Sequence, residues 1–238
     1  MSEQGDVVRF NRRERIEHVL VMILFVVLVA TGMPQKFHEA GIAKTIVEAL
    51  GGISQVRYFH RMAGVFFAAL TLMHLTAIVL PVLTRRSTLA MVPRPKDFRD
   101  AVLTIRYYLG KVRERPQYDH FDYKEKFEYW GIVFGSFIMI CTGFVLLLPL
   151  LATKFLPGQV IPAAKVAHGN EGLMAMLVVI VWHLFNVHLA PEVFPMSRTI
   201  FTGKISRERM RHEHGIEYAR QFPEEASDAP TDPDAKKP

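Results

Sequence analysis

Four long apolar runs constrain this chain more than any other feature. They cover residues 16–33, 61–83, 129–153 and 172–190. Each is close to the ~20 residues that cross a ~30 Å hydrocarbon layer as a helix. The runs are continuous rather than alternating, which excludes a transmembrane β-barrel. Charged residues make up 22% of the chain, yet almost all lie between and outside the runs. That distribution excludes an ordinary soluble enzyme and a disordered chain. The expected fold is an all-α integral membrane protein, a bundle of four transmembrane helices.

The net charge of +6 invites a nucleic-acid partner, but the positions of the charges argue against one. Of 29 Lys and Arg, four precede the first run, eleven lie between the second and third, and eight follow the fourth. This is the positive-inside pattern, and it places both termini in the cytoplasm of a multi-pass inner-membrane protein. Anionic lipid headgroups account for the basic residues, and no nucleic acid is expected. The start of the chain has the look of a signal peptide. However, its basic stretch 9–15 is long, no small-x-small cleavage site follows, and three more runs come later, so the first run is expected to be retained.

The segments between the runs divide simply. Gly32-Met33-Pro34 reads as the stop of the first span. An amphipathic piece, 42–50, follows and is closed by Gly51-Gly52. Arg85-Arg86 anchors the inner end of the second span. The stretch 84–126 is the longest polar connection. Within it, 96–112 has helical apolar spacing at Phe98, Val102, Ile105, Leu109 and Val112, as expected of a helix lying on the membrane surface. Pro149 and Pro191 end the third and fourth spans. A basic segment, 197–222, leads into 223–238, whose Pro, Asp, Glu and Ala content predicts disorder. The organisation expected is a membrane domain over 1–222 and a tail over 223–238. No internal repeat is visible.

The one cysteine, Cys141, lies inside the third run. A disulfide framework, a Cys-x-x-Cys-His haem attachment and a zinc site built on Cys pairs are all excluded. The histidines are more informative. Six of the ten lie in or at the ends of spans: His18, His60, His74, His168, His183 and His188. Ionisable side chains are costly in a bilayer and usually mark a functional site in the bundle interior. With both termini inside, His60 and His168 fall in an outer layer, and His18, His74 and His183 in an inner one. His188 lies at the very edge. His74 is ~21 Å deeper than His60 and nearly on the same helix face; His183 is ~22 Å deeper than His168 and ~60° rotated if its helix is regular.

Two metal centres stacked across the bilayer follow from that layering, and iron porphyrin with two axial histidines fits best, since it needs no cysteine. Gly64 and Gly172 each stand one turn after an outer histidine, where a missing side chain lets a flat ring approach the backbone. Other metal readings are weaker. There is no close His cluster for a di-iron oxygenase and no His-Glu-x-x-His for a zinc protease. His183 and His188 are ~140° apart on a helix and poorly placed to share a metal.

The residues together resemble the dihaem cytochrome b (gamma) subunits of respiratory formate dehydrogenases and membrane-bound nickel–iron hydrogenases. The resemblance covers most of residues 9–222. It rests on Arg9-Phe10-Asn11-Arg12 through Glu17-His18, His60-x-x-x-Gly64, and Phe121-Asp122-Tyr123-Lys124-Glu125-Lys126 with Tyr129-Trp130. It continues in His168-x-x-x-Gly172 with His183, then Gly203-Lys204-Ile205-Ser206-Arg207, His212-x-His214 and Tyr218. The resemblance implies an outer haem on His60 and His168 and an inner haem on His18 and His183. His74, in register with His60, makes a rival partner for His183. The interval from His168 to His183 is one residue longer than the usual fourteen, which a π-bulge would absorb. Asp122, Lys124 and Glu125 stand where the family's quinone-site segment carries Asn, Gly and Gln.

The implied role is an electron-transfer subunit with two non-covalent b haems, working between a periplasmic iron–sulfur subunit and membrane quinone. Arg12, Arg13 and Arg15 are candidates to meet haem propionates, and His18, His74, Asp122, Glu125 and Glu128 to donate protons to quinone. No catalytic dehydrogenase motif is present, so the chain is expected to be a subunit rather than a complete enzyme. Two alternatives stand beside this one. In the first, quinol is oxidised and electrons pass outward to a multihaem cytochrome c. In the second, the chain is a haem-free membrane metal transporter or anchor.

Overall fold

The structure, a computed structural model, describes residues 5–84, 90–191 and 193–224. The Arg85-Arg86 anchor and residues 225–238 of the expected tail lie outside the described residues. In chain order the elements are strand β1 (Asp6–Val8), helices α1 (Arg12–Lys36), α2 (Gly41–Ala49), α3 (Ile53–Leu83), α4 (Pro95–Tyr108), α5 (Tyr123–Leu147), α6 (Pro149–Ala152) and α7 (Val160–Leu177). Two π-helical segments, Val178–His183 and Phe185–Leu189, continue α7. Then come α8 (Thr199–Thr202), strand β2 (Lys204–Ser206), α9 (Arg207–Glu213) and α10 (Gly215–Gln221).

Four helices are long and apolar enough to cross a membrane: Arg12–Lys36, Ile53–Leu83, Tyr123–Leu147 and Val160–Leu189. All four overlap the apolar runs, and all begin earlier. The reasons are local. Asn11 caps α1 with a reciprocal pair of bonds: its side chain accepts from the Glu14 amide at 3.0 Å, and the Glu14 carboxylate accepts from the Asn11 amide at 2.8 Å. That capping box starts the helix among its arginines, four residues before the apolar run. Asp122 and Glu125 do the same at the head of α5, at 2.8 and 2.9 Å.

Pro34 corrects an expectation. It does not stop α1 but sits buried within its last turn, with the Phe37 amide bonding the Met33 carbonyl at 2.9 Å. Pro34 has no N–H to give the carbonyl of residue 30, yet the helix runs on to Lys36. The amphipathic piece is α2, and the chain leaves it through Gly51 and Gly52 at φ 87° and 93°, a left-handed conformation that favours glycine.

Two compact units emerge. The first gathers the described parts of 11–88 and 130–201, and it carries the apolar bulk of all four long helices. In it α1 packs along α3 and α7, and α2 packs back on α1. Large apolar side chains such as Phe66, Leu72, Phe134, Phe137 and Val181 are more than half exposed. That is the expected surface of a bundle whose solvent is lipid.

The second unit gathers the described parts of 1–10, 89–129 and 202–238. Strands β1 and β2 pair antiparallel, with Val7 opposite Ile205. Ile205, Met210 and Tyr218 form its small core, with Val7 and Phe222 against it. Helix α4 is inverted relative to a soluble surface helix. Its polar side is the packed one: Asp100 and Thr104 are buried, the Thr104 hydroxyl shares a 2.8 Å hydrogen bond with Tyr118, and Lys126 pairs with Asp97 at 2.8 Å. Its apolar stripe of Phe98, Val102, Ile105 and Leu109 is exposed.

Candidate functional site

The structure brings four of the sequence-predicted histidines into two pairs. His60 on α3 faces His168 on α7, with ring centroids 6.2 Å apart. His18 on α1 faces His183 at the end of the first π-helical segment, also at 6.2 Å. Two imidazoles that each bind one metal ion at ~2 Å put their ring centres about 6 Å apart. Both pairs have that spacing. Helices α3 and α7 are not packed backbone against backbone in the way α1 and α3 are, so side chains rather than backbones meet where His60 faces His168.

The π-helical turn explains how His183 reaches its partner. A regular helix would rotate it ~60° away from the face of His168 over fifteen residues. Opening the ladder to i→i+5 bonds over Val178–His183 takes up the extra residue.

His74 stands apart from the inner pair. Its Nδ1–H donates to the buried Glu17 carboxylate at 2.7 Å, and Arg13 lies 3.3 Å from the other Glu17 oxygen. Arg13 also reaches the Ala77 carbonyl at 3.5 Å, and Arg15 donates to the Phe201 carbonyl. His188 is half-buried in the second π-helical segment, on the far side of Leu184 from His183.

Two threonines and two glycines that sequence reasoning missed stand against the His60 and His168 rings. The Thr31 hydroxyl of α1 lies 2.9 Å from His60 Nδ1 and 2.6 Å from the Val27 carbonyl. The Thr142 hydroxyl of α5 lies 2.9 Å from His168 Nδ1 and 2.6 Å from the Ile138 carbonyl. Each threonine is followed by a glycine against the same ring: a Cβ at Gly32 would stand 3.0 Å from His60, and one at Gly143 would stand 3.2 Å from His168. The signal was present as the dipeptide Thr-Gly, once near the end of the first run and once in the third. By contrast, the buried His18 Nδ1 has no hydrogen-bond partner among the described residues.

The two glycines singled out from the sequence behave differently. A Cβ at Gly64 would meet nothing within 4 Å; one at Gly172 would make ordinary contact with the ends of Met33 and Met139, at 3.7 and 3.6 Å. Glu171, one turn past His168, also went unmarked in the sequence; a Cβ at Gly135 of α5 would stand 2.6 Å from its carboxylate.

The acidic candidates belong to the second unit's polar network. Arg9 is buried and donates to both oxygens of Glu125 at 2.9 and 3.2 Å. Glu217 lies 3.8 Å from Arg9 and accepts from His120 Nδ1–H at 2.6 Å. Burial and the neighbouring Glu125 charge raise the Asp122 carboxyl to about 6. Burial and the Arg9 charge lower His214, whose Nδ1–H donates to the Asp119 carbonyl at 2.8 Å. Glu128 is half-buried on the first turns of α5.

The donor set fits b haem. A histidine pair offers two ligands, and among the described residues no group of three or more His, Cys, Asp or Glu is gathered to hold a bare metal ion. A porphyrin brings its own equatorial nitrogens and needs axial ligands only. The model of the family described as prokaryotic cytochrome b561 matches residues 9–198 of the chain. No curated protein matches it.

Proposed function

Because the chain belongs to the prokaryotic cytochrome b561 family, membrane cytochromes b that bind haem b and transfer electrons, we propose that it carries electrons across a bacterial inner membrane through two non-covalent b haems. The single observation behind this is the pair of histidine pairs, each with ring centroids 6.2 Å apart. His60 and His168 hold the outer haem, and His18 and His183 the inner one. Bound b haem supplies one-electron redox chemistry; spacing, ligation and dielectric come from the protein.

The electrons run between a periplasmic redox partner, an iron–sulfur or multihaem cytochrome subunit, and the quinone pool. The resemblance to formate dehydrogenase and hydrogenase gamma subunits supports that placement, as does the basic character of the inner connections. Quinone reduction takes protons from the cytoplasmic side. His74, bonded to Glu17, is one residue fitted to handle them. Asp122 is another, since a carboxyl raised to about 6 exchanges its proton near neutral pH. Glu125 and Glu128 stand beside it on α5.

The test is the haem stoichiometry and absorption spectrum of the purified chain. Two haems per chain are expected, all extractable by acid–acetone because no cysteine motif tethers them. His60→Ala should remove one haem and leave the other. A stoichiometry near zero would overturn the proposal in favour of a haem-free transporter or anchor.

A further inference from the structure

Each threonine hydroxyl has one proton to give. At Thr31 it is committed to the Val27 carbonyl 2.6 Å away, one turn back on the same helix. Two oxygen acceptors do not approach so closely without a proton between them. Toward His60, at 2.9 Å, the Thr31 oxygen is therefore the acceptor. The proton in that bond belongs to His60 Nδ1. Thr142 repeats the arrangement: its proton goes to the Ile138 carbonyl at 2.6 Å, and its oxygen accepts from His168 Nδ1 at 2.9 Å.

We infer that Thr31 and Thr142 are positioning residues that set the tautomer of the outer histidine pair, keeping the proton on Nδ1 and leaving Nε2 as the free lone pair. The inference rests on the reading of His60 and His168 as axial ligands. A neutral imidazole has one protonated and one unprotonated nitrogen, and the bond made by the first decides which is open to a metal. Gly32 and Gly143 complete the device. With a Cβ there at 3.0 or 3.2 Å from the ring, the imidazole would be pushed out of line with its threonine. The same two-residue unit thus serves both outer ligands from two different helices. His18, whose Nδ1 has no such acceptor, does not share it.

A metal-bound imidazole that donates from its other nitrogen is the more basic ligand. Loss of the threonine acceptor, with only the Leu28 or Met139 carbonyl left beside the ring, makes it a weaker donor to ferric iron, which raises the potential. In the full-length chain, Thr31→Val should therefore move the midpoint of the outer haem upward and leave the inner one in place. Thr31→Ser, which restores a hydroxyl acceptor, should return the wild-type value. The Thr142 variants should behave alike. Nitrogen-15 NMR of labelled histidine in the reduced, diamagnetic wild-type chain should show Nδ1–H on both His60 and His168, whatever the variants do to folding.

The outcomes separate cleanly. Wild-type protein without an outer haem on His60 and His168 defeats the ligand assignment itself. With that haem present, an unchanged midpoint in both valine variants, or an unprotonated Nδ1 in the wild type, overturns the role of the threonines. Loss of the outer haem alone in Thr31→Val, with retention in Thr31→Ser, supports it.

Discussion

At the scale of single residues, two histidines compete for one partner. His18 faces His183 at 6.2 Å, whereas His74 gives its Nδ1 proton to Glu17. Separate alanine variants should divide them. His18→Ala is expected to leave one haem per chain, and His74→Ala to keep two while slowing quinone turnover; haem counts on both proteins decide it. Asp122 provides a different residue-level test. Its carboxyl sits at about 6 in the folded chain, against ~3.9 unfolded. Between those values the folded state holds the extra proton, so this group's contribution to stability falls as pH rises from about 4 to 6. Asn at this position keeps a good helix cap and cannot ionise. Asp122→Asn should therefore gain on the wild type by on the order of 1–3 kcal/mol between pH 4.5 and 7.5, read from thermal unfolding in detergent at the two pH values. A gap that narrows with rising pH would contradict the assignment.

At the scale of elements, α4 shows how a helix can be amphipathic in either sense. Its Asp97, Asp100 and Thr104 face Lys126, Lys96 and Tyr118 within its own unit, and Phe98 is 73% exposed at the N-terminal end of an apolar stripe. Such a face is costly in water and stable in the acyl boundary of a bilayer. In vesicles, Phe98→Trp should give a blue-shifted emission that brominated lipid quenches. Emission at the wavelength of a water-exposed indole would place the stripe elsewhere. The extension of α7 makes a related point. It is long and apolar enough to cross a membrane as far as Leu189, yet its ladder opens at Val178–His183, the turn that ends on the histidine facing His18.

At the scale of the whole molecule, the distribution of basic residues makes a prediction about orientation. The segments before the first apolar run, between the second and third, and after the fourth hold 23 of the 29 Lys and Arg. Reporter fusions should therefore find both termini in the cytoplasm, and a reporter placed in the connection at α2 in the periplasm. A periplasmic C-terminus would invert the layers and exchange the inner and outer histidine pairs.

The number of spans, their apolar character and the layering of the histidines were legible in the sequence because each depends on local composition and on a fixed rise per residue. So was the meeting of His60 with His168, since both lie near the same end of their spans. Depth alone left His18 and His74 as rivals beside His183, and the family resemblance favoured His18. Both lie at the right depth, and only packing shows that Glu17 holds one and leaves the other facing His183. Pro34 and the early helix starts depended on caps and terminal turns that an apolar window does not register. The β1–β2 pair joins segments almost two hundred residues apart, beyond any local pattern. The threonine clamp is the sharpest case. Thr31 and Thr142 are unremarkable in sequence, and what they do follows from a hydroxyl whose one proton is already given away and a histidine on a neighbouring helix. Hydrophobic periodicity reports which side chains leave water; it carries no information on which polar atoms meet across helices, and those meetings build the site.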